Sequence, residues 1–103
     1  MKILAIDPGY DRCGVAVVEG NRSKPQLVFS TCLRTSSKDT FHVRLAQIGN
    51  EIEHIIETYV PNVCAIEKLY FNTNQKTAMN VAEVRGMLLY IALSHTLVVE
   101  EYT

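Results

Sequence analysis

The chain has 103 residues, of which 48% are hydrophobic and 20% are charged, and its formal net charge is -1. This composition is typical of a single globular domain and excludes a disordered chain, because the apolar content suffices for a core. No apolar run approaches the roughly 20 residues of a membrane-spanning helix, so we expect a cytoplasmic protein without a membrane partner. The near-neutral charge argues against a nucleic-acid-binding domain that is basic over its whole surface.

The first predicted strand ends in an acid and a tight turn. Residues 3–6 are apolar (ILAI) and lead into Asp7, Pro8 and Gly9, a pattern typical of a buried strand that presents a carboxylate at the edge of a sheet. Asp7 can equally have a purely structural role in such a turn, in which its carboxylate accepts a hydrogen bond from the backbone that follows. Two further apolar runs, residues 13–19 and 26–34, predict strands that complete an antiparallel meander.

A helix and a fourth strand follow the meander. Apolar residues recur every three or four positions over residues 41–59, which predicts a helix with one apolar face that Pro61 brings to an end. The next apolar run, residues 63–66, ends in Glu67. A strand that follows a crossover helix runs parallel to an earlier strand, and if that neighbour is the first strand, Asp7 and Glu67 lie side by side. Paired carboxylates of this kind suit a hard divalent cation.

The second predicted helix, residues 75–94, has two apolar faces. Such a helix must be covered twice, so we expect the sheet to cover one face and a partner subunit to cover the other. The dimer interface is predicted at Val81, Val84 and Leu88. The two apolar sets are Met79, Ala82, Gly86, Leu89 and Leu93 on one face, and Val81, Val84, Leu88 and Ile91 on the other. Residues 97–102 predict a fifth strand.

The three cysteines are interpreted as packing residues. Cys13, Cys32 and Cys64 lie within strand-like runs and lack the C-x-x-C spacing of zinc sites. An odd number of such cysteines argues against a disulfide framework, and we expect all three to be buried as small hydrophobic residues.

The order of the elements and two motifs resemble a known family. Three strands, a helix, a strand, a helix and a strand, with acids ending the first and fourth strands, resemble the ribonuclease H-like arrangement. The motifs IDPG and IEKLYFNTNQKTAMNVAEVRGML resemble those of the bacterial RuvC-type Holliday junction resolvases, from Lys2 to Tyr102. We therefore expect an α/β, ribonuclease H-like fold with a five-stranded mixed sheet, three antiparallel strands followed by two parallel ones, and flanking helices.

The resemblance implies a homodimeric, Mg²⁺-dependent endonuclease that cuts four-way (Holliday) DNA junctions in recombination and repair. It also implies Mn²⁺ as an alternative metal and a branch-migration helicase complex as a further partner. Asp7 matches the first catalytic acid and Glu67 the second, and both would bind the metal. Tyr70 stands where these enzymes carry an aromatic residue that stacks on a base, an interaction worth roughly 1 to 3 kcal/mol. The predicted DNA contacts are Tyr70, Lys68, Lys76, Arg85 and Arg12.

The chain departs from the family pattern after the fifth strand. These resolvases carry one or two further acidic ligands on a carboxyl-terminal helix, and this sequence stops at Thr103. Glu100 and Glu101 are poor substitutes, because neighbouring residues of a strand point to opposite faces. We therefore expect residues 1–103 to form a single resolvase domain, truncated before its last catalytic helix, with little or no junction-cutting activity.

Three other functions stay open. Resolvase-like RNA-processing nucleases share the fold and begin with a D-x-G turn, although the motif after Glu67 fits them less well. A sugar-kinase or actin-like ATPase half-domain also begins with a strand that ends in Asp-x-Gly, but its phosphate loop favours Gly, Thr and Ser, where this chain has Pro8, Tyr10 and Asp11. The third is a DNA-binding module that binds junctions without cutting them.

Overall fold

Five strands form one mixed sheet in a computed structural model, which describes residues 1–21, 23–68 and 74–103. The strand order is β3-β2-β1-β4-β5. Strands β1, β2 and β3 are antiparallel to their neighbours, and β4 and β5 continue the sheet parallel to β1. This topology confirms the predicted fold class. The elements are β1 (Lys2–Asp7), β2 (Arg12–Glu19), β3 (Gln26–Arg34), α1 (Phe41–Tyr59), β4 (Val63–Glu67), α2 (Gln75–Ser94) and β5 (Val98–Tyr102).

Both helices pack on the same face of the sheet. Helix α1 connects β3 to β4 and α2 connects β4 to β5, and two right-handed crossovers that advance in the same direction place both helices on one side. Leu4, Ile6 and Ile66 point toward the helices and are at most 1% exposed. Val84 and Leu88 of α2 belong to the same core cluster. The core therefore lies between the helices and one face of the sheet.

The core position of Val84 and Leu88 corrects the predicted dimer interface. These side chains are 0% and 1% exposed, because their face of α2 is the one that the sheet covers. Val81 is half-buried and lines a cavity of about 420 Å³ beside residues 9–12. The second apolar face of α2 is open instead, with Met79 64% and Leu93 62% exposed. The helix has two apolar faces, as predicted, but the free one carries Met79 and Leu93.

The ends of α1 follow local backbone chemistry. Thr40 caps the helix, and its hydroxyl accepts a hydrogen bond from the backbone N–H of Val43. The helix ends at Tyr59, and the C-cap residue Val60 adopts a left-handed conformation with φ of 49°. Pro61 follows directly and disfavours a helical conformation at the residue before it. No helix in the described part of the chain has the length and apolar character to cross a membrane.

The cysteine prediction holds for two positions. Cys13 and Cys64 are buried, and burial raises the pKa of each thiol to about 11, so both stay protonated at neutral pH. Cys32 is exposed, contrary to the prediction. It lies opposite Gly14 on the edge strand β3, and no described helix covers that face of the sheet.

The turn after β1 depends on glycine at position 9. A Cβ atom at Gly9 would lie 2.1 Å from the backbone oxygen of Arg12, so a larger residue forces the chain apart. We expect Gly9→Ala to destabilise the fold by roughly 1 to 3 kcal/mol, measured by urea unfolding. Gly14→Ala is the matched control, because its Cβ would make an ordinary 3.5 Å contact with Asp7. Equal midpoints for Gly9→Ala and the wild type would contradict the close approach.

Candidate active site

The sheet brings Asp7 and Glu67 together at its carboxyl edge, as expected from the order of the elements. Strands β1 and β4 pair in parallel with Ile6 beside Ile66, so the next residue of each strand is Asp7 or Glu67. Side chains alternate along a strand, and Ile6 and Ile66 point into the core beneath the helices. Both carboxylates therefore lie on the face of the sheet away from the helices.

The two acids influence each other directly. A hydrogen bond between the carboxyl groups is the main cause that raises the pKa of Glu67, and the negative charge of Asp7 and slight desolvation raise it further. Two carboxylates this close repel each other when both are ionised, and a cation between them removes that repulsion. Because Mg²⁺ is commonly bound by one or two carboxylates together with water and phosphate oxygens, this pair of ligands fits a divalent ion.

Tyr102 is a third polar side chain at this edge, and the sequence analysis missed it. Tyr102 is the register partner of Glu67 on β5, and its hydroxyl lies 3.5 Å from the backbone oxygen of Ile6 on β1. Burial raises the pKa of Tyr102, and the charges of Glu67 and Asp7 raise it further. The available signal was the position of Tyr102 at the end of the strand that follows α2.

Arg85 has a structural role that the sequence did not indicate, and its contact with DNA stays a prediction. Its Nε donates to the backbone oxygen of Glu67 over 3.1 Å, and its guanidinium pairs with Glu101. These two contacts connect α2 to the ends of β4 and β5. The Arg85 side chain is only 15% exposed. Glu101 lies on the helix side of the sheet, since its register partner is the core residue Ile66.

The remaining predicted DNA contacts are at the surface where the structure describes them. Arg12, Lys68 and Lys76 are exposed. Arg12 begins β2 beside the turn that follows Asp7, and Lys68 comes directly after Glu67, so both flank the acid pair. Tyr70 lies outside the described residues. The role of these residues toward DNA stays a prediction.

Arg44 of α1 supports the turn that follows Asp7. This residue is buried, with 8% of its surface exposed. Its guanidinium pairs with Asp11 and lies 5.1 Å from the centre of the Tyr10 ring. Its Nε donates to the hydroxyl of Thr35 over 2.8 Å. The loop between β1 and β2 is thereby fastened to α1, which restrains the backbone next to Asp7.

A second group of potential metal ligands lies away from the acid pair. Within the ranges that the structure describes, Glu53, Glu57 and His95 each place one ligand atom within 4.8 Å of the others. The two helices end near the amino ends of β4 and β5, at the edge of the sheet opposite Asp7. His95 Nε2 lies 2.6 Å from Glu53 Oε2, a contact that joins the two helices and needs no ion.

Comparisons with known proteins give the family. Residues 3–103 match the family model of the crossover junction endodeoxyribonuclease RuvC. The chain is 37% identical over 102 residues to the crossover junction endodeoxyribonuclease RuvC of Brachyspira hyodysenteriae, and 40% identical over 103 residues to that of Petrotoga mobilis. These matches cover 99% and 100% of this chain but 64% and 63% of the relatives. The chain thus spans a little less than two thirds of their length.

Solved structures agree with this assignment. The structure of T. thermophilus RuvC in complex with Holliday junction substrate has a TM-score of 0.92 at 23% identity, over 99% of this chain and 65% of that one. A second Thermus thermophilus RuvC structure has a TM-score of 0.87 at 26% identity, over 99% of this chain and 63% of that one. Because the family model matches residues 3–103, this chain belongs to the crossover junction endodeoxyribonuclease RuvC family.

Proposed function

We propose that this chain is the metal-binding core of an endodeoxyribonuclease that resolves four-way DNA junctions by metal-dependent phosphodiester hydrolysis. The observation that carries the proposal is the Asp7–Glu67 carboxylate pair, at adjacent strand ends of a chain that belongs to the RuvC family. We further propose, as the family resemblance implies, that it acts in the cytoplasm on recombining DNA, alongside a branch-migration helicase complex.

The proposed mechanism assigns the metal to the acid pair. Asp7 and Glu67 would hold Mg²⁺, with Mn²⁺ as a substitute. A bound divalent ion supplies activation of the attacking water and neutralisation of charge on the phosphate. The two carboxylates would fix the position of the ion, because both stand on strand ends that the sheet holds in register. Arg12, Lys68 and Lys76 would attract the DNA backbone, which makes binding weaker at high salt.

The family pattern adds further acids from a carboxyl-terminal helix. Such a helix has a surface to pack on, because Asp7 and Glu67 lie on the sheet face that no described helix covers. Ala5, Ala16 and Ala65 on that face are small and half-buried, which leaves room for a close neighbour. We therefore propose that residues 1–103 bind junctions but cut them slowly or not at all.

A junction-binding assay with matched variants tests this function. A synthetic four-way junction is offered with linear duplex as competitor in Mg²⁺, and the chain is compared with Asp7→Asn and Glu67→Gln. Glu19→Gln is the control, because it removes an exposed acid that pairs with Lys2, at the other end of β1 from Asp7. We expect preference for the junction and little cutting. Cutting that both site variants abolish would show that the pair suffices, and equal affinity for junction and duplex would contradict the proposal.

We also propose a homodimer formed through the open apolar face of α2. Met79, Tyr90 and Leu93 are exposed there by 64%, 73% and 62%. A Cβ atom at Gly86 would meet nothing within 4 Å, so a second helix can approach its backbone closely. Met79, Gly86 and Leu93 recur every seven residues, which is the spacing of a helix-pairing seam.

Leu93→Glu is expected to convert the dimer into a monomer, because it places a charge within an apolar contact. Light scattering at tens of micromolar protein measures the mass of the species. Val43→Glu on α1 changes a valine that is 46% exposed and should leave the dimer intact. A wild-type monomer under these conditions would refute the proposed interface.

A further inference from the structure

Three polar side chains stand in one row across three parallel strands. Ile6 of β1 is the partner of Ile66 on β4, so Asp7 and Glu67 are the next pair, and Glu67 is the partner of Tyr102 on β5. Side chains at matching positions of parallel neighbours point to the same face. Tyr102 therefore lies on the face of the two acids, on the other side of the sheet from the Arg85–Glu101 pair.

The backbone of Tyr102 is held firmly. The N–H of Lys68 donates to the Tyr102 carbonyl oxygen over 2.7 Å. The preceding residue, Glu101, is paired with Arg85, which also donates to the backbone oxygen of Glu67. Backbone hydrogen bonds and Arg85 thus join the ends of β4 and β5, so the Cα atom of Tyr102 has a fixed position.

The hydroxyl of Tyr102 has only a weak partner within the described chain. The side chain crosses β4, and its oxygen lies 3.5 Å from the backbone oxygen of Ile6. Hydrogen bonds from a hydroxyl are usually 2.5 to 3.0 Å long, so this contact is a very weak hydrogen bond. The Ile6 carbonyl belongs to the peptide that leads into Asp7. A donor is therefore available beside the first acid.

A phenol suits this position chemically. It adds a hydrogen-bond donor without adding negative charge to the acid pair, and it does not repel a cation as a lysine would. We propose that the Tyr102 hydroxyl donates a hydrogen bond to an oxygen atom coordinated by the divalent ion at Asp7 and Glu67, either a water or a phosphate oxygen of the DNA. This inference rests on the proposed function, because it requires the ion at that pair.

Tyr102→Phe removes the hydroxyl alone and tests the proposal. Tyr90→Phe is the matched control, since Tyr90 is 73% exposed on α2. The affinity for Mn²⁺ is measured without DNA, from the electron paramagnetic resonance signal of the unbound Mn²⁺. The affinity for a four-way junction is measured in Mg²⁺ and in EDTA. Thermal unfolding without metal should give equal midpoints for Tyr102→Phe and the wild type, because a 3.5 Å contact stabilises the fold little.

The two arms of the experiment distinguish the two oxygen sources. A roughly three- to tenfold loss of Mn²⁺ affinity identifies a metal-bound water as the acceptor. Unchanged Mn²⁺ affinity with a similar loss of junction affinity, seen in Mg²⁺ but not in EDTA, identifies a phosphate oxygen. If Tyr102→Phe matches Tyr90→Phe in both arms while Asp7→Asn loses the metal, the inference is overturned and the proposed function survives. If Asp7→Asn also binds Mn²⁺ normally, both fail.

Discussion

Replacing Asp7 with asparagine is expected to lower the affinity for Mg²⁺ or Mn²⁺ by more than about 100-fold. Loss of groups that only support a metal ligand already costs roughly 10- to 100-fold in affinity, and Asp7 would be a ligand itself. Asparagine has nearly the same shape, so the effect reports the lost charge and not a change of packing. Titration with Mn²⁺ measures it, with Glu19→Gln as the control. Wild-type affinity in Asp7→Asn would rule out the acid pair as the metal site.

The same variant should lower the pKa of Glu67. In the wild type the Asp7 carboxyl raises that pKa by a hydrogen bond and by its charge, and asparagine carries no charge. A raised pKa means that protons compete with the cation at higher pH than at an ordinary glutamate, so metal affinity falls as the pH decreases through it. Titration of the Glu67 carboxyl carbon by NMR measures the shift. An unchanged pKa in Asp7→Asn would show that the two acids do not interact.

Leu88→Ala is expected to destabilise the fold by roughly 2 to 5 kcal/mol, the usual range for a leucine deleted from a core. Leu88 is 1% exposed and belongs to the cluster that joins α2 to the sheet. Urea unfolding measures the loss, which should be the same at every protein concentration. A core residue changes the stability of each copy, whereas an interface residue changes the association of two copies.

Leu93→Ala on the same helix is the matched control for Leu88→Ala. Leu93 is 62% exposed, so in dilute protein its replacement should change stability by no more than about 0.5 kcal/mol. Its effect should grow with protein concentration if the open face pairs two copies. If instead Leu88→Ala weakened association and left the monomer as stable as before, the original prediction of the interface at Val81, Val84 and Leu88 would be correct.

Local patterns determined most of the elements. The runs predicted for the third strand, fourth strand and second helix coincide with Gln26–Arg34, Val63–Glu67 and Gln75–Ser94. Apolar period and turn residues act over a few neighbours, which is why the sequence alone reports them. The sequence also predicted that Asp7 and Glu67 meet if the first and fourth strands are neighbours, because a crossover helix makes the fourth strand parallel to an earlier one and both strands end in an acid.

Only the tertiary structure decided which side chains face the site and which are covered. Both faces of α2 are apolar, and the period of its sequence cannot say which one meets the sheet. That choice depends on how the helix rotates against Leu4, Ile6 and Ile66, which are distant in the chain. The structural role of Arg85 and the position of Tyr102 beside the acids were missed for the same reason. Their roles come from contacts across α2, β4 and β5, and such contacts exist only when the strands lie in register.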